Sequence, residues 1–320
     1  MKQIIAKIYA GGLITAAEAM LIAESGSEYS EPILAAADAA RIRYAGSCVD
    51  LCAIINAKSG KCSEDCTYCS QSSLSSASIT RYPLINIDDL KRAASEAASV
   101  GVNRFSIVTS GRKPAEDELK IIGRMIEAAR SAGLKPCASL GLLGRQELAY
   151  LKSSGLERYH NNLETSENFF SKICTTHKYS DKIKTIEAAL SVGLSVCSGG
   201  IFGLGESWMD RIDMAITLYG LNIDSVPINF LVPVRGTRLE QMPLLSAAEA
   251  LRIISIYRFL LPAKSIRICG GRMQTLGSMG SIIFEAGADA VMTGNYLTTT
   301  GISYEDDIIK IKEKGLVLRV

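Results

Sequence analysis

Several common features are scarce in this chain of 320 residues. Charge excess is nearly absent: 35 basic residues against 33 acidic ones leave +2, with the two signs closely interspersed. A nucleic-acid surface or a membrane patch would need a basic stripe, so neither partner is expected. No apolar run approaches the length that crosses a bilayer. The opening MKQIIAKIYAGG lacks the sustained apolar segment and small-residue cleavage site of a secretory signal. That points to the cytoplasm, and nine cysteines there read as reduced thiols and metal ligands rather than disulfides. No low-complexity segment or long Pro/Gly/Ser linker divides the chain. With 48% hydrophobic residues, the chain has enough apolar side chains for a sizeable core, and barrel folds of this length occur as one unit.

Three of the cysteines are concentrated in KCSEDCTYCSQSS. The spacing C-x3-C-x2-C joins Cys62, Cys66 and Cys69. Three thiolates this close can hold three irons of a [4Fe–4S] cube and leave the fourth iron open. A structural zinc site would want a fourth protein ligand, and no His or further Cys lies inside the motif or against its flanks. An incomplete ligand set indicates chemistry at the metal.

The rest of the chain repeats a small unit: a helix ending in Gly, followed at once by a β-type run. ASVGVNRFSIVTS, RSAGLKPCASLG, KSSGLERYHNN, LSVGLSVCSGG and FEAGADAVMTG share it. Gly accepts the left-handed turn that closes a helix, so Gly101, Gly133, Gly155, Gly193 and Gly287 read as helix stops. Adding SCVDLCAIINA, DSVPINFLV and KSIRICGG gives eight strands, centred near residues 53, 106, 137, 160, 197, 228, 267 and 290. Amphipathic stretches such as IDDLKRAASEAAS and DELKIIGRMIEAARSA fill the intervals. Eight alternations of β and α predict an α/β fold, a TIM-type (βα)8 barrel, with a doubly wound open sheet as the alternative. The expected organisation is an N-terminal helical extension over 1–46, the barrel over 47–300 and a C-terminal helix or tail over 301–320. Thr15 is a plausible N-cap for AAEAMLIAES.

Aligning the strands on their helix-stop glycines exposes a polar interior. Cys137 and Cys197 each lie four residues after such a Gly, on strands three and five; Arg267 and Cys269 stand two apart on strand seven, and so share a face. Alternate strands furnish the side chains of one interior layer, and a layer of thiols with an Arg is not ordinary apolar packing. It suggests a second metal–sulfur centre, against inert core thiols. At the C-terminal ends of the strands, where barrel active sites form, stand His160, Asn161, Asn162 and Glu164, then Asn229. Gly199, Gly200, Gly203 and Gly205 in SGGIFGLGE would let backbone approach a ligand closely.

These segments resemble a known family. CSEDCTYCSQSS is similar to the cluster motif of radical S-adenosylmethionine enzymes, and YHNNLETS, VCSGGIFGLGE, SVPINFLVPVRGT and SIRICGGR together resemble the biotin synthase branch, over about residues 48–275. The resemblance implies a [4Fe–4S] cluster on Cys62, Cys66 and Cys69, with S-adenosylmethionine chelated by the open iron. It implies Tyr68 beside the adenine, Glu164 on the ribose, and Asn162 and Asn229 near dethiobiotin, whose ureido group suits amide partners. Reduced, the cube would cleave the cofactor to a 5′-deoxyadenosyl radical that takes hydrogen from dethiobiotin. An auxiliary Fe–S cluster would then donate sulfur. A flavodoxin or ferredoxin would supply the electron, and homodimers are common in the family. Rival readings are a sister enzyme of the superfamily, of the hydrogenase-cluster maturase or methylornithine-forming mutase type, and a non-enzymatic Fe–S carrier.

The chain departs from the family pattern in three places. The usual auxiliary [2Fe–2S] site takes three Cys and one Arg. Cys137, Cys197 and Arg267 match, but the strand-two position is Ser106, a poor ligand to iron. Cys269 is the second departure, a thiol where the family has none. A set of Cys137, Cys197 and Cys269 is expected instead, favouring an auxiliary centre of four irons over one of two. The third is His177, at a position where the family has an Arg thought to meet the cofactor carboxylate. Cys48, Cys52 and Cys174 match no family ligand and read as core thiols.

Overall fold

The computed structural model describes residues 1–297 and 301–319. Three helices come first, α1 (Lys2–Tyr9), α2 (Ala16–Ala23) and α3 (Ser30–Ala45), and then β1 (Cys48–Lys58). There follow α4 (Ile87–Ser99), β2 (Arg104–Thr109), α5 (Glu116–Ser131), β3 (Lys135–Ser139), α6 (Arg145–Ser153), β4 (Arg158–His160), α7 (Glu167–Ile173) and α8 (Tyr179–Ser191). The chain continues through β5 (Ser195–Cys197), β6 (Gly200–Phe202), α9 (Trp208–Gly220), β7 (Ser225–Phe230), α10 (Ala247–Leu260) and β8 (Ser265–Ile268). It ends with α11 (Arg272–Leu276), β9 (Ala290–Met292), α12 (Tyr304–Glu313) and β10 (Val317–Leu318).

All eight expected strands are present, and they close into a parallel barrel. Neighbours pair in the order β1, β2, β3, β4, β5, β7, β8, β9, and β9 returns to β1. The fifth barrel strand is broken into β5 and β6, both of which pair with β7. Local chemistry explains the alternation. The five helix-stop glycines take φ between +75° and +108°, values that only Gly adopts cheaply, and each releases the chain into the next strand. In α4, Asn86 caps the first turn through Asp89 N, while Leu90, Ala94 and Ala97 recur at helical spacing and are buried against the sheet. Thr15 accepts from Glu18 N, and the Glu18 side chain returns a bond to Thr15 N, a capping box that starts α2.

The structure adds a strand that the sequence does not announce. β10 pairs with the first residues of β1. Val49 O accepts Arg319 N–H, and Leu51 O accepts Asn103 N–H. These two carbonyls point to the same side of β1, so β10 sits end-on to β2 at the barrel floor. The boundary expected at residue 300 lies outside the described residues. Among the described residues no helix is long and apolar enough to cross a membrane.

Candidate active site

β1 emerges at the barrel mouth into a loop that folds upon itself. Gly60 N–H donates to Gln71 Oε1 at 3.0 Å, while Cys62 N–H reaches Gln71 O and Ser73 N–H reaches Cys62 O. Cys69 N–H closes a turn on Cys66 O, and Thr67 N–H bonds Ile173 O at the end of α7. Three unpaired thiols, Cys62, Cys66 and Cys69, are thereby gathered on one short segment. Burial pushes the Cys69 thiol up to about 11, and the neighbouring Cys62 adds to the rise. The proximity of that pair is what a shared metal centre would need. Tyr68 lines the same cavity as Cys69, and its hydroxyl is buried and pushed well up.

That cavity, of about 350 Å³, runs down the barrel axis. Cys137, Cys197, Arg267 and Cys269 all line it, as expected, and so does Cys52. Cys52, expected as a core thiol, is buried and faces this cavity as well. On β1, Cys52 stands two residues from Asp50, and the two share the inward face. The four thiols come from β1, β3, β5 and the end of β8, the odd strands of the barrel; the strand register sets Cys52, Cys137, Cys197 and Arg267 at one interior level, with Cys269 one level nearer the mouth. The even strands contribute Arg104 and Ser106 from β2, and Arg158 and His160 from β4. Cys48, also on β1, is half-buried and does not line the cavity.

Beneath the thiols lies a buried ionic floor. Arg267 Nη2 donates to Asp50 Oδ2 at 2.6 Å, and Asn103 Nδ2 donates to Asp50 Oδ1 at 2.8 Å. Arg104 Nε stands 3.4 Å from Asp50 Oδ2. Burial alone would raise the Asp50 carboxyl, but Arg267, Asn103 and Arg104 more than reverse this, to about 2. Two guanidinium groups thus face one buried carboxylate, and Arg158, which also lines the cavity, leaves its Nη1 without a hydrogen-bond partner among the described residues. Arg104 also meets Glu157 at 3.7 Å, in a half-exposed contact. The surplus positive charge fits an anionic group among the thiols. Cys197 responds to it: burial would raise its thiol, but the His160 hydrogen bond and the Arg158 and Arg267 charges draw it down to about 7. Burial pushes Cys52 up to about 12, and Cys137 and Cys269 rise with it.

Nearer the mouth, two asparagines brace the strand ends. Asn162 Oδ1 accepts Gly199 N–H at 3.1 Å, and its Nδ2 donates to Glu164 Oε2 at 3.3 Å. Asn229 Nδ2 donates to Gly200 O at 3.2 Å, and its Oδ1 accepts Gly270 N–H at 3.0 Å. Both line the cavity, and each amide keeps one N–H and one lone pair unspent. Glu164 holds φ at +74°, a left-handed conformation costing a non-Gly residue roughly 1–3 kcal/mol, a kind of strain that clusters at functional sites.

Two expectations change. A Cβ on Gly199 would lie 2.0 Å from Pro227 O, and one on Gly200 would lie 2.3 Å from Glu164 O. These glycines let neighbouring backbone pack closely, and neither lines the cavity. His177 does not line the cavity either. Its Nδ1 is 2.5 Å from Glu64 Oε2 behind the cysteine loop. Cys174, read as an inert core thiol, is buried there 3.2 Å from the same nitrogen.

Comparisons with known proteins agree with this geometry. The profile of the Radical SAM superfamily matches residues 57–218, and that of the Biotin and Thiamin Synthesis associated domain matches 227–317. Methylornithine synthase is similar in structure, with a TM-score of 0.86 at 20% identity, over 99% of this chain and 97% of that one. The [FeFe]-hydrogenase maturase from Carboxydothermus hydrogenoformans has a TM-score of 0.84 at 18% identity, over 99% and 78%. At such identities the likeness is one of fold. Fold and motif together define a radical S-adenosylmethionine enzyme with a TIM-type barrel, and such an enzyme implies a [4Fe–4S] cluster and S-adenosylmethionine. The biotin synthase of Thermodesulfovibrio yellowstonii is 57% identical over 280 residues, 88% of each chain. That of Clostridium botulinum is 46% identical over 310 residues, 97% of this chain and 96% of the relative. The chain belongs to the biotin synthase family.

Proposed function

We propose that this enzyme converts dethiobiotin to biotin with two iron–sulfur centres held at opposite ends of one cavity. At the mouth, Cys62, Cys66 and Cys69 would hold the [4Fe–4S] cluster and leave an iron for S-adenosylmethionine. That cluster, when reduced, supplies the radical chemistry of the family. Glu164 would receive the cofactor's ribose and Tyr68 its adenine, while the free amide valences of Asn162 and Asn229 suit a ureido group. At the floor, Cys52, Cys137, Cys197 and Cys269 would hold the auxiliary centre, with Arg267 as a charge partner and not a ligand, since Asp50 already engages it.

The thiol layer also bears on the size of that centre. Both [2Fe–2S] and [4Fe–4S] clusters take four thiolates, but the smaller one needs them two to an iron. Four thiols would complete a cube, with one thiol at each iron, and that size is the one proposed. The apolar walls, with Ile54, Val108, Ile201 and Phe230, keep water from the space between the two centres. A flavodoxin or ferredoxin as electron donor, a homodimer and a cytoplasmic location complete the reading.

The observation that carries it is the convergence of four thiols and Arg267 below a three-cysteine loop in one cavity. The test is an anaerobic assay of the reconstituted chain with dithionite, S-adenosylmethionine and dethiobiotin. Biotin is expected, with one 5′-deoxyadenosine for each C–H bond broken. 5′-Deoxyadenosine without biotin would leave the radical site standing and overturn the substrate.

A further inference from the structure

The charged side chains that line the cavity are sorted by depth. Glu164 stands towards the mouth, whereas Arg104, Arg158 and Arg267 stand at the floor. Arg267 is answered by Asp50 at 2.6 Å, and Arg104 shares the same carboxylate at 3.4 Å. Arg158 has no such acid. Its Nε donates to Ser195 Oγ at 2.9 Å, and its Nη1 is buried without a partner among the described residues. Arg104 Nε and Nη1 are likewise buried without a hydrogen bond. A buried guanidinium that no acid fully answers costs stability, so these two cations need a counterpart. Strand register places one beside each. Arg158 on β4 pairs with Cys137 on β3, and Arg104 on β2 pairs with Cys52 on β1. Neighbouring strands lie about 4.8 Å apart, and residues paired across them project to the same side.

We propose that Arg158, assisted by Arg104, sets the reduction potential of the floor centre by holding fixed positive charge against its ligands. Both are positioning residues, acting through the centre and not on substrate. A cation in a buried site favours the form of a cluster that carries one more electron, because its field is weakly screened there. Local charge is one of the levers a protein has over such a potential, and taking it away makes the centre harder to reduce. Guanidinium suits the task because it stays charged at any working pH. Arg158 is also the cleaner of the two to probe, since Arg104 is tied to Asp50 and Arg158 is held only through Ser195. The inference rests on the assignment of the floor centre to Cys52, Cys137, Cys197 and Cys269.

The test uses the full chain carrying Cys62→Ala, Cys66→Ala and Cys69→Ala, reconstituted with iron and sulfide, so that only the floor centre titrates. Its EPR-monitored redox titration is compared with that of the same chain carrying Arg158→Gln or Arg158→Lys. Arg158→Gln is expected to keep its iron and to titrate at lower potential, so that the reduced fraction at the parent's midpoint falls severalfold. Arg158→Lys, which keeps the charge without the planar fork, is expected to recover most of the difference. An unchanged potential in Arg158→Gln would overturn the proposal. Equal shifts in both variants would also overturn it, since charge would then not be the cause. If Arg158→Gln loses its iron, Arg104→Gln decides, with the same fall expected and an unchanged potential fatal; iron loss from both would make the arginines a structural support only. A parent chain that takes up no iron would mark failure of the floor assignment itself, and an iron count before any titration tells the two apart.

Discussion

The mouth and the floor of this barrel gather sulfur in opposite ways. At the mouth three thiols sit within eight consecutive residues, on a loop held by its own backbone bonds and by Asp65. At the floor four thiols arrive from four strands, separated in sequence by up to 217 residues between Cys52 and Cys269. The loop can lose its cysteines without disturbing the barrel, because the strands do not depend on it. The floor is part of the core, and its charges are paired only when the strands are in register. A site made locally is separable from the fold; a site made by topology is not.

The largest expected effect separates the two directly. Replacing Cys62, Cys66 and Cys69 together by Ala should abolish S-adenosylmethionine cleavage while the fold stays intact by circular dichroism. The iron that remains should be about four per chain if the floor holds a cube, as its four thiols permit; about two would establish the smaller cluster. Next, Cys52→Ala should stop biotin formation yet leave 5′-deoxyadenosine release, whereas Cys48→Ala, four residues away, should behave as wild type. Full biotin formation by Cys52→Ala would remove β1 from the auxiliary site.

Smaller effects bear on stability. Arg267→Ala leaves the Asp50 carboxylate buried without its main partner and should cost about 3–5 kcal/mol in urea unfolding. Asp50→Asn/Arg267→Met should cost less than the single change. Asp50 also predicts an acid limit. Its folded value, about 2, lies below the ordinary 3.8, so its stabilisation is complete above about pH 4 and is lost as the pH falls towards 2. Roughly 2 kcal/mol should disappear over that window. Urea midpoints of the metal-free chain that do not move there, relative to Asp50→Asn, would contradict the pairing.

Much of this was legible in the sequence because it is written locally. The helix-stop glycines, the Thr15 cap and the cysteine motif each act within a few residues, and strand parity was enough to turn Cys137, Cys197, Arg267 and Cys269 inward. Cys52 was missed although a signal exists: Asp50 and Cys52 stand two apart, as Arg267 and Cys269 do, and a buried acid is the natural partner of a buried Arg. The packing of Gly199 and Gly200 is not legible in the sequence because the atoms that exclude a Cβ, Pro227 O and Glu164 O, belong to other segments. The orientation of His177 depends on Glu64, 113 residues earlier. β10 is two residues long, too short for any periodicity.

The level shared by three thiols and Arg267 also bears on how such a centre can change or be built. A barrel of eight similar units offers four equivalent inward positions at each level. A ligand absent from an even strand, where Ser106 stands, can be supplied from an odd one without altering a loop or a helix. Ligand sets on this scaffold are interchangeable by rotation around the axis. The same equivalence gives a protein designer a route to an iron–sulfur cube in an empty barrel: choose one level, place a Cys on every other strand, and set arginines on the level below.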